Sequence, residues 1–253
     1  MLIQVSGLEK TFHDRKKGDV RAVRAISFTC RPGQVFGLLG RNGAGKTTTL
    51  RMLATILVPT GGTATVAGFD IVGKSAEVRR RIGYLSGETK LYDRLTGREL
   101  LQYFGALAGM SGAAIAARIE ALTERFVLAE LLDVRVGKMS TGMKQRLSIA
   151  RVVFHDPEVL IFDEPTAGLD VIAARGVLSL IVDLKRQGRT VIYSTHIMTE
   201  AERICDEVAI IERGEILAHG SVEAIRDRAP SRSVEDVFVQ VVTGASGGAN
   251  GDL

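Results

Sequence analysis

A chain of 253 residues, 45% hydrophobic and 25% charged, is long enough for one large or two small domains and has ordinary globular composition. Its net charge of +4 is mild, and the basic runs Arg15-Lys16-Lys17 and Arg79-Arg80-Arg81 lack interleaved aromatics, which argues against nucleic acid as a partner. No apolar run approaches the roughly 20 residues that span a bilayer, and Cys30 and Cys205 show neither metal-ligand spacing nor a disulfide framework. The opening MLIQVSGLEK also lacks the layout of a signal peptide, so a reducing cytoplasm is the simplest setting.

In chain order, alternation predicts strands over residues 2–6 and 23–29, and a third strand follows over 34–39. Residues 11–19 between the first two read as a polar loop. Phe12 is its one aromatic, either a surface ring or a platform on which a base could stack. A helix follows over 47–54, stopped by Pro59 and the Gly61-Gly62 pair. Another strand is expected over 63–67, a basic helix over 75–81 and a strand over 82–85. From about 96 to 136 alanine, leucine and glutamate dominate, and Leu100, Leu101, Phe104 and Leu107 recur at helical spacing. This reads as an all-helical insert. Alternation of helix and strand then resumes. Helices are expected over 142–154, 173–187 and 198–204, and strands over 159–162, 190–194, 207–211 and 216–219, before two short helices. Such alternation implies an α/β fold whose parallel central sheet is covered on both faces. Residues 243–253, with GASGGAN in their middle, read as a disordered tail.

The most informative stretch is VFGLLGRNGAGKTTTL, residues 35–50. Gly40-Arg41-Asn42-Gly43-Ala44-Gly45-Lys46-Thr47 fills every fixed position of the phosphate-loop pattern between a strand and a helix. Glycines let consecutive N–H groups point inward around a phosphate, and the new helix adds its positive end. Lys46 would supply charge to the β- and γ-phosphates and Thr47 a hydroxyl for Mg²⁺. The chain therefore binds a nucleoside triphosphate.

A second site ends the buried strand Val159-Leu160-Ile161-Phe162 in Asp163 and Glu164, at the sheet edge where open α/β sheets bind ligands. Asp163 suits an Mg²⁺ and Glu164 the activation of an attacking water, while a helix-capping carboxylate is the structural alternative. Ser140 and Gly142, at the start of a helix, form a candidate second anion site that alone would be weak. His196, after the strand over 190–194, stands at the same edge and suits a γ-phosphate contact. His13, His155 and His219 read as structural.

Together these motifs resemble an ATP-binding-cassette (ABC) ATPase over residues 2 to about 240. GRNGAGKTT matches Walker A, VLIFDE Walker B, MSTGMKQR the signature and Ala167-Gly168-Leu169-Asp170 the D-loop, with His196 at the switch position. The resemblance implies a P-loop NTPase core over residues 1–242, with an antiparallel β-subdomain and a helical subdomain at about 96–139. It also implies ATP held by Asn42, Gly43, Ala44, Gly45, Lys46, Thr47 and Thr48, with Phe12 stacking adenine. Mg²⁺ falls to Thr47 and Asp163, and catalysis to Glu164, His196 and Lys46. A second copy or a related ATPase would supply Ser140 and Gly142 in trans. Two departures bear on rate: Gly87 stands where the family carries glutamine, with Glu88 as a candidate substitute, and LSGGQ is MSTGM here.

The KKGDVRAV, SGETKLYDRLTGRELL and MSTGMKQR stretches are similar to ATPases of bacterial sodium exporters of the NatA type. The expectation is thus a peripheral subunit at the cytoplasmic face of the membrane, driving sodium export through a separate permease. That permease would dock beside Tyr92, Asp93 and Arg94. The alternatives are a drug or lipid exporter, a soluble repair or ribosomal ATPase, and a regulatory module without chemistry. No repair-type coiled coil or second cassette is present, Glu164 opposes dead chemistry, and the absence of N-K-x-D disfavours GTP.

Overall fold

The computed structural model describes residues 1–14, 16, 18–87 and 91–247. Its strands are β1 (Ile3–Asp14), β2 (Gly18–Cys30), β3 (Val35–Leu39), β4 (Gly61–Val66), β5 (Phe69–Asp70), β6 (Ile82–Ser86), β7 (Val159–Asp163), β8 (Thr190–Thr195), β9 (Glu207–Glu212) and β10 (Glu215–Ser221). Its α-helices are α1 (Lys46–Leu53), α2 (Ser75–Arg81), α3 (Gly97–Leu107), α4 (Gly112–Phe126), α5 (Thr141–Val153), α6 (Val171–Arg186), α7 (Met198–Ile204), α8 (Val222–Arg226) and α9 (Val234–Gly247).

Two sheets result. The larger has the order β10-β9-β3-β8-β7-β6 and is parallel except for the β9–β10 hairpin. Strands β3, β7 and β8 are buried at every position, as expected where helices cover both faces. The smaller sheet, β2-β1-β4-β5, is antiparallel and shares an apolar core with the larger through Ile3, Leu8, Phe36, Leu50 and Ile161. Each such fully buried large side chain contributes about 1.5–3 kcal/mol over its exposed state.

Local chemistry explains several boundaries. A capping box starts α3: Thr96 Oγ1 accepts from Glu99 N at 3.2 Å while Glu99 Oε2 accepts from Thr96 N at 2.8 Å. Asp170 Oδ1 accepts from Ile172 N and Ala173 N, both at 2.9 Å, so α6 begins at Val171, ahead of the expected residue 173. Helices α3 and α4 lie within residues 96–139 and pack Leu100, Leu101, Ile115, Ile119 and Leu122 against the core next to α5.

Two expectations need correction. Residues 11–14 and 18–19, expected in a loop, are strand, because β1 runs to Asp14 and β2 starts at Gly18. The ladder continues through Phe12↔Val20 and His13↔Asp19, and His13 Nδ1 lies 2.8 Å from Asp19 Oδ1. Phe12 to Asp14 and Gly18 to Arg21 are exposed on both faces, so the buried-face alternation that marks a strand is lost there. The second concerns the tail, where α9 continues to Gly247, across the expected boundary at residue 243. Val234, Val237, Phe238, Val241 and Val242 recur at helical spacing and pack against the core cluster that holds Met198, Ala201 and Ile225 or stay buried. Residues 248–253 lie outside the described residues.

Candidate active site

Parallel register assembles the site. Leu39 pairs with Thr195, Ser194 with Asp163, and Asp163 with Ser86, so β3, β8, β7 and β6 end together at one sheet edge. The chain leaves that edge through Gly40, Glu164, His196 and Gly87.

The loop after β3 turns tightly into α1. Gly45 has φ 110°, and a Cβ there would lie 2.6 Å from the carbonyl oxygen of Ala22. At Gly40 a Cβ would lie 2.3 Å from the carbonyl oxygen of Ile211. No other residue fits either place without moving backbone. The loop encloses a cleft of about 340 Å³ lined by Ala22, Arg41, Asn42, Gly43, Gly45, Lys46, Thr47, Thr48 and Glu164. Ala44 is the exception among the expected loop residues. Its side chain is buried in the core, and its carbonyl accepts from Gly214 N at 2.9 Å.

Lys46 is only 4% exposed, and its ammonium donates to Gly40 O at 2.7 Å and Arg41 O at 3.1 Å. Its third contact is Glu164 Oε1 at 3.1 Å. The other Glu164 oxygen, Oε2, lies 3.1 Å from His196 Nδ1. Since a carboxylate only accepts, the ring proton of that contact sits on Nδ1. Glu164 has φ 48°, a sparsely populated conformation for a residue with a side chain, and its N–H donates to Ser194 O at 3.2 Å and Ser194 Oγ at 3.1 Å. The same Ser194 hydroxyl donates to Asp163 Oδ1 at 2.6 Å. Ser194 was missed by sequence reasoning. Its signal was a serine directly after the buried run Val191-Ile192-Tyr193, where a hydroxyl must find a partner.

The remaining expected residues lie elsewhere. Phe12 does not line the cleft. It is 39% exposed on β1, with the Lys10 ammonium 5.2 Å from its ring centroid, while Ala22 of the paired strand reaches the cleft. Ser140 caps α5, accepting from Met143 N at 3.2 Å, and is exposed. With Gly142 it borders a separate hollow of about 990 Å³ alongside Gly168, Leu169 and Asp170. The structure thus brings Lys46, Thr47, Asp163, Glu164 and His196 to one edge and leaves Ser140 and Gly142 facing outward. Gly87 follows Ser86, and a Cβ there would lie 3.9 Å from Asp163 O, ordinary contact distance. Glu88, the candidate substitute for the missing glutamine, lies outside the described residues.

Among the described residues no group of three His, Cys, Asp or Glu could hold a metal. Thr47 and Asp163 offer hard oxygen donors of the kind Mg²⁺ takes with phosphates and water completing its shell, so the site fits that ion. Chemically, the arrangement can cradle a phosphate chain on backbone N–H groups. It can also neutralise that chain with Lys46 and present a carboxylate–imidazole pair beyond its end.

A family model described as ABC transporter matches residues 23–167. The chain is 45% identical over 247 residues to the ABC transporter ATP-binding protein NatA of Bacillus subtilis (strain 168), covering 97% of this chain and all of that one. It is 40% identical to the Nod factor export ATP-binding protein I of Rhizobium sp. (strain N33), over 93% of this chain and 76% of that one. Against the probable multidrug ABC transporter ATP-binding protein YbhF of Escherichia coli (strain K12) identity is 35%, over 90% of this chain and 40% of that one. Among solved structures, an ATP-binding subunit of an ABC transporter superposes with a TM-score of 0.83 at 29% identity, covering 96% of this chain and all of that one. A dimeric post-hydrolysis cassette, MJ0796 bound to ADP and Pi, gives 0.78 at 22% identity, covering 87% and 98%. Among the described residues no helix is long and apolar enough to cross a membrane.

Proposed function

The chain belongs to the ATP-hydrolysing subunits of ABC transporters, and we propose that it drives sodium export through a separate membrane permease. The observation that carries the export reading is the end-to-end match with NatA, together with the sodium-exporter resemblance of the SGETKLYDRLTGRELL stretch. In this reading the ATPase domain covers residues 1–242 with a helical subdomain at 96–139. It sits at the cytoplasmic face of the membrane, pairs with a second copy or a related ATPase, and binds no nucleic acid. An exposed aromatic patch supports a dock at the helical subdomain. Tyr92 and Tyr103 are 52% and 45% exposed, their rings edge-to-face at 5.5 Å, and Leu107 nearby is 70% exposed.

The residues divide the work as follows. Backbone N–H groups of Asn42, Gly43 and Gly45 to Thr48 surround the phosphates, and the family resemblance assigns Phe12, outside the cleft, to adenine. On binding, Lys46 leaves Glu164 for the β- and γ-phosphate oxygens. Thr47 and Asp163 would hold an Mg²⁺, which when bound would neutralise charge at the phosphates. Freed of Lys46, Glu164 takes the proton of a water aligned with the γ-phosphorus, and His196 keeps Glu164 oriented through Nδ1. Ser140 and Gly142 of the other subunit close the site on the γ-phosphate.

The test is co-expression with a candidate multi-span permease, using inverted vesicles and radioactive sodium. ATP-dependent sodium uptake that Lys46→Ala abolishes is the expected result. Uptake of a lipophilic dye with no sodium movement would replace the sodium reading with a drug or lipid exporter.

A further inference from the structure

Glu200, in the first turn of α7, is 8% exposed and carries an unusual load. Its Oε2 accepts three hydroxyl hydrogen bonds, from Thr166 Oγ1 at 3.0 Å, Tyr193 Oη at 2.5 Å and Thr195 Oγ1 at 3.1 Å. All three donors are buried. A buried carboxylate is costly unless such donors compensate it, and bonds to a carboxylate are about twice as strong as neutral ones. Packing alone would be served as well by an apolar side chain of the same volume.

The donors' positions suggest what the carboxylate does. Thr166 follows Glu164 by two residues, inside a turn closed by Ala167 N to Glu164 O at 3.2 Å and Leu169 N to Thr166 O at 3.1 Å. Thr195 immediately precedes His196, and its Oγ1 also accepts from Ile197 N at 2.9 Å. The hydroxyl therefore clamps the backbone on both sides of the histidine. Glu200 thus grips the two loops whose side chains meet in the 3.1 Å contact between Glu164 and His196. The turn it holds on the Glu164 side also receives Gln145 Nε2 on Pro165 O, a link to the helix that Ser140 caps.

We propose that Glu200 is a positioning residue for ATP hydrolysis. It sets the Glu164–His196 geometry by holding Thr166 and Thr195 on one carboxylate oxygen, and it ties that geometry to the turn over residues 165–170. The proposal rests on Glu164 and His196 acting as the hydrolytic pair. Tyr193, the third donor, anchors Glu200 from β8 three residues before His196 and adjoins neither Glu164 nor His196, which separates positioning from stability.

The experiment measures kcat and KM for ATP together with Tm in Glu200→Gln, Thr166→Val, Thr166→Ser and Tyr193→Phe. Glu200→Gln and Thr166→Val are expected to lower kcat about tenfold to a hundredfold, the scale of an ångström-level misplacement, with KM nearly unchanged. Thr166→Ser, which restores the hydroxyl, recovers kcat. Tyr193→Phe lowers Tm while keeping wild-type kcat. Wild-type kcat in both Glu200→Gln and Thr166→Val would overturn the proposal, as would a kcat loss in Tyr193→Phe equal to that in Thr166→Val. If Glu200→Gln does not fold, the Thr166 pair and Tyr193→Phe decide. His196→Ala, run alongside, isolates the premise: full turnover there overturns the pair's assignment, and the proposal with it.

Discussion

Lys46→Ala is the sharpest probe of the phosphate loop, because the structure states which partners the ammonium holds before a nucleotide arrives. In the free protein these are Gly40 O at 2.7 Å, Arg41 O at 3.1 Å and Glu164 Oε1 at 3.1 Å. The first two pre-orient the side chain and survive ligand binding, whereas the carboxylate must be surrendered for the phosphates. Two charge-assisted hydrogen bonds to phosphate at about 1.5–3 kcal/mol each, less one of the same class given up at Glu164, leave a net of about 1.5–3 kcal/mol. That corresponds to roughly a tenfold to 150-fold weaker Kd for ATP in the variant. Glu164 is 24% exposed in its side chain, so screening of the surrendered ion pair moves the answer toward the upper end. Turnover falls further, by at least about a hundredfold, since the ammonium also faces charge that develops on the transferring phosphoryl group. Calorimetric titration with ATP and phosphate-release kinetics read the two quantities. Wild-type turnover, or an unchanged Kd, would refute the assignment of Lys46 to the phosphates.

Three further outcomes are expected. Glu164→Gln removes the base while releasing Lys46, so it should bind ATP more tightly than wild type without turning it over. It should also shift from monomer to dimer with ATP by size exclusion with light scattering. Adding Ser140→Arg should prevent that shift, and a Glu164→Gln monomer at saturating ATP would argue against self-assembly. Replacing Tyr92, Asp93 and Arg94 together should reduce ATP-driven transport by the complex and spare the isolated chain's ATPase. An equal fall in both activities would move the segment to the active site. Burial holds His155 below its ordinary pKa, and its Nε2 lies 3.0 Å from Ile82 O. With the folded pKa depressed, the unfolded chain binds the proton first. Stability is therefore complete above the ordinary histidine pKa and declines as pH falls through it, at no more than about 1.4 kcal/mol per pH unit. Urea midpoints followed from about pH 8 to about pH 5, a window bracketing that ordinary value of about 6.5, should flatten in His155→Gln. An unchanged slope would place the titration elsewhere.

Much of the machinery was legible in the sequence because its signals are local. A phosphate loop needs glycines, a lysine and a threonine at set spacing between a strand and a helix, all within residues 35–50. The strand ending in Asp163-Glu164 and the helix over 198–204 declare themselves by runs and periodicities that span only a few residues. The strand ends over residues 11–14 and 18–19 escaped because Phe12 to Asp14 and Gly18 to Arg21 are all exposed, so no buried face imposes a period of two. The cap at Asp170 and the long α9 were shifted or shortened for a related reason, since docking onto neighbours stabilises ends that composition alone marks as loop.

What only the tertiary structure decided is which side chains meet. Ser86, Asp163, Ser194 and Leu39 reach one edge through parallel register between strands far apart in the chain, and a shift of one residue would turn each to the opposite face. Ser194 bonding Asp163, Lys46 reaching Glu164, and Glu200 reaching Thr166 are all consequences of that register. Residue types along the chain determined that a nucleotide's phosphates would be bound. The geometry in which Lys46, Glu164 and His196 wait for them is set by hydrogen bonds across strands, whose partners no local pattern names.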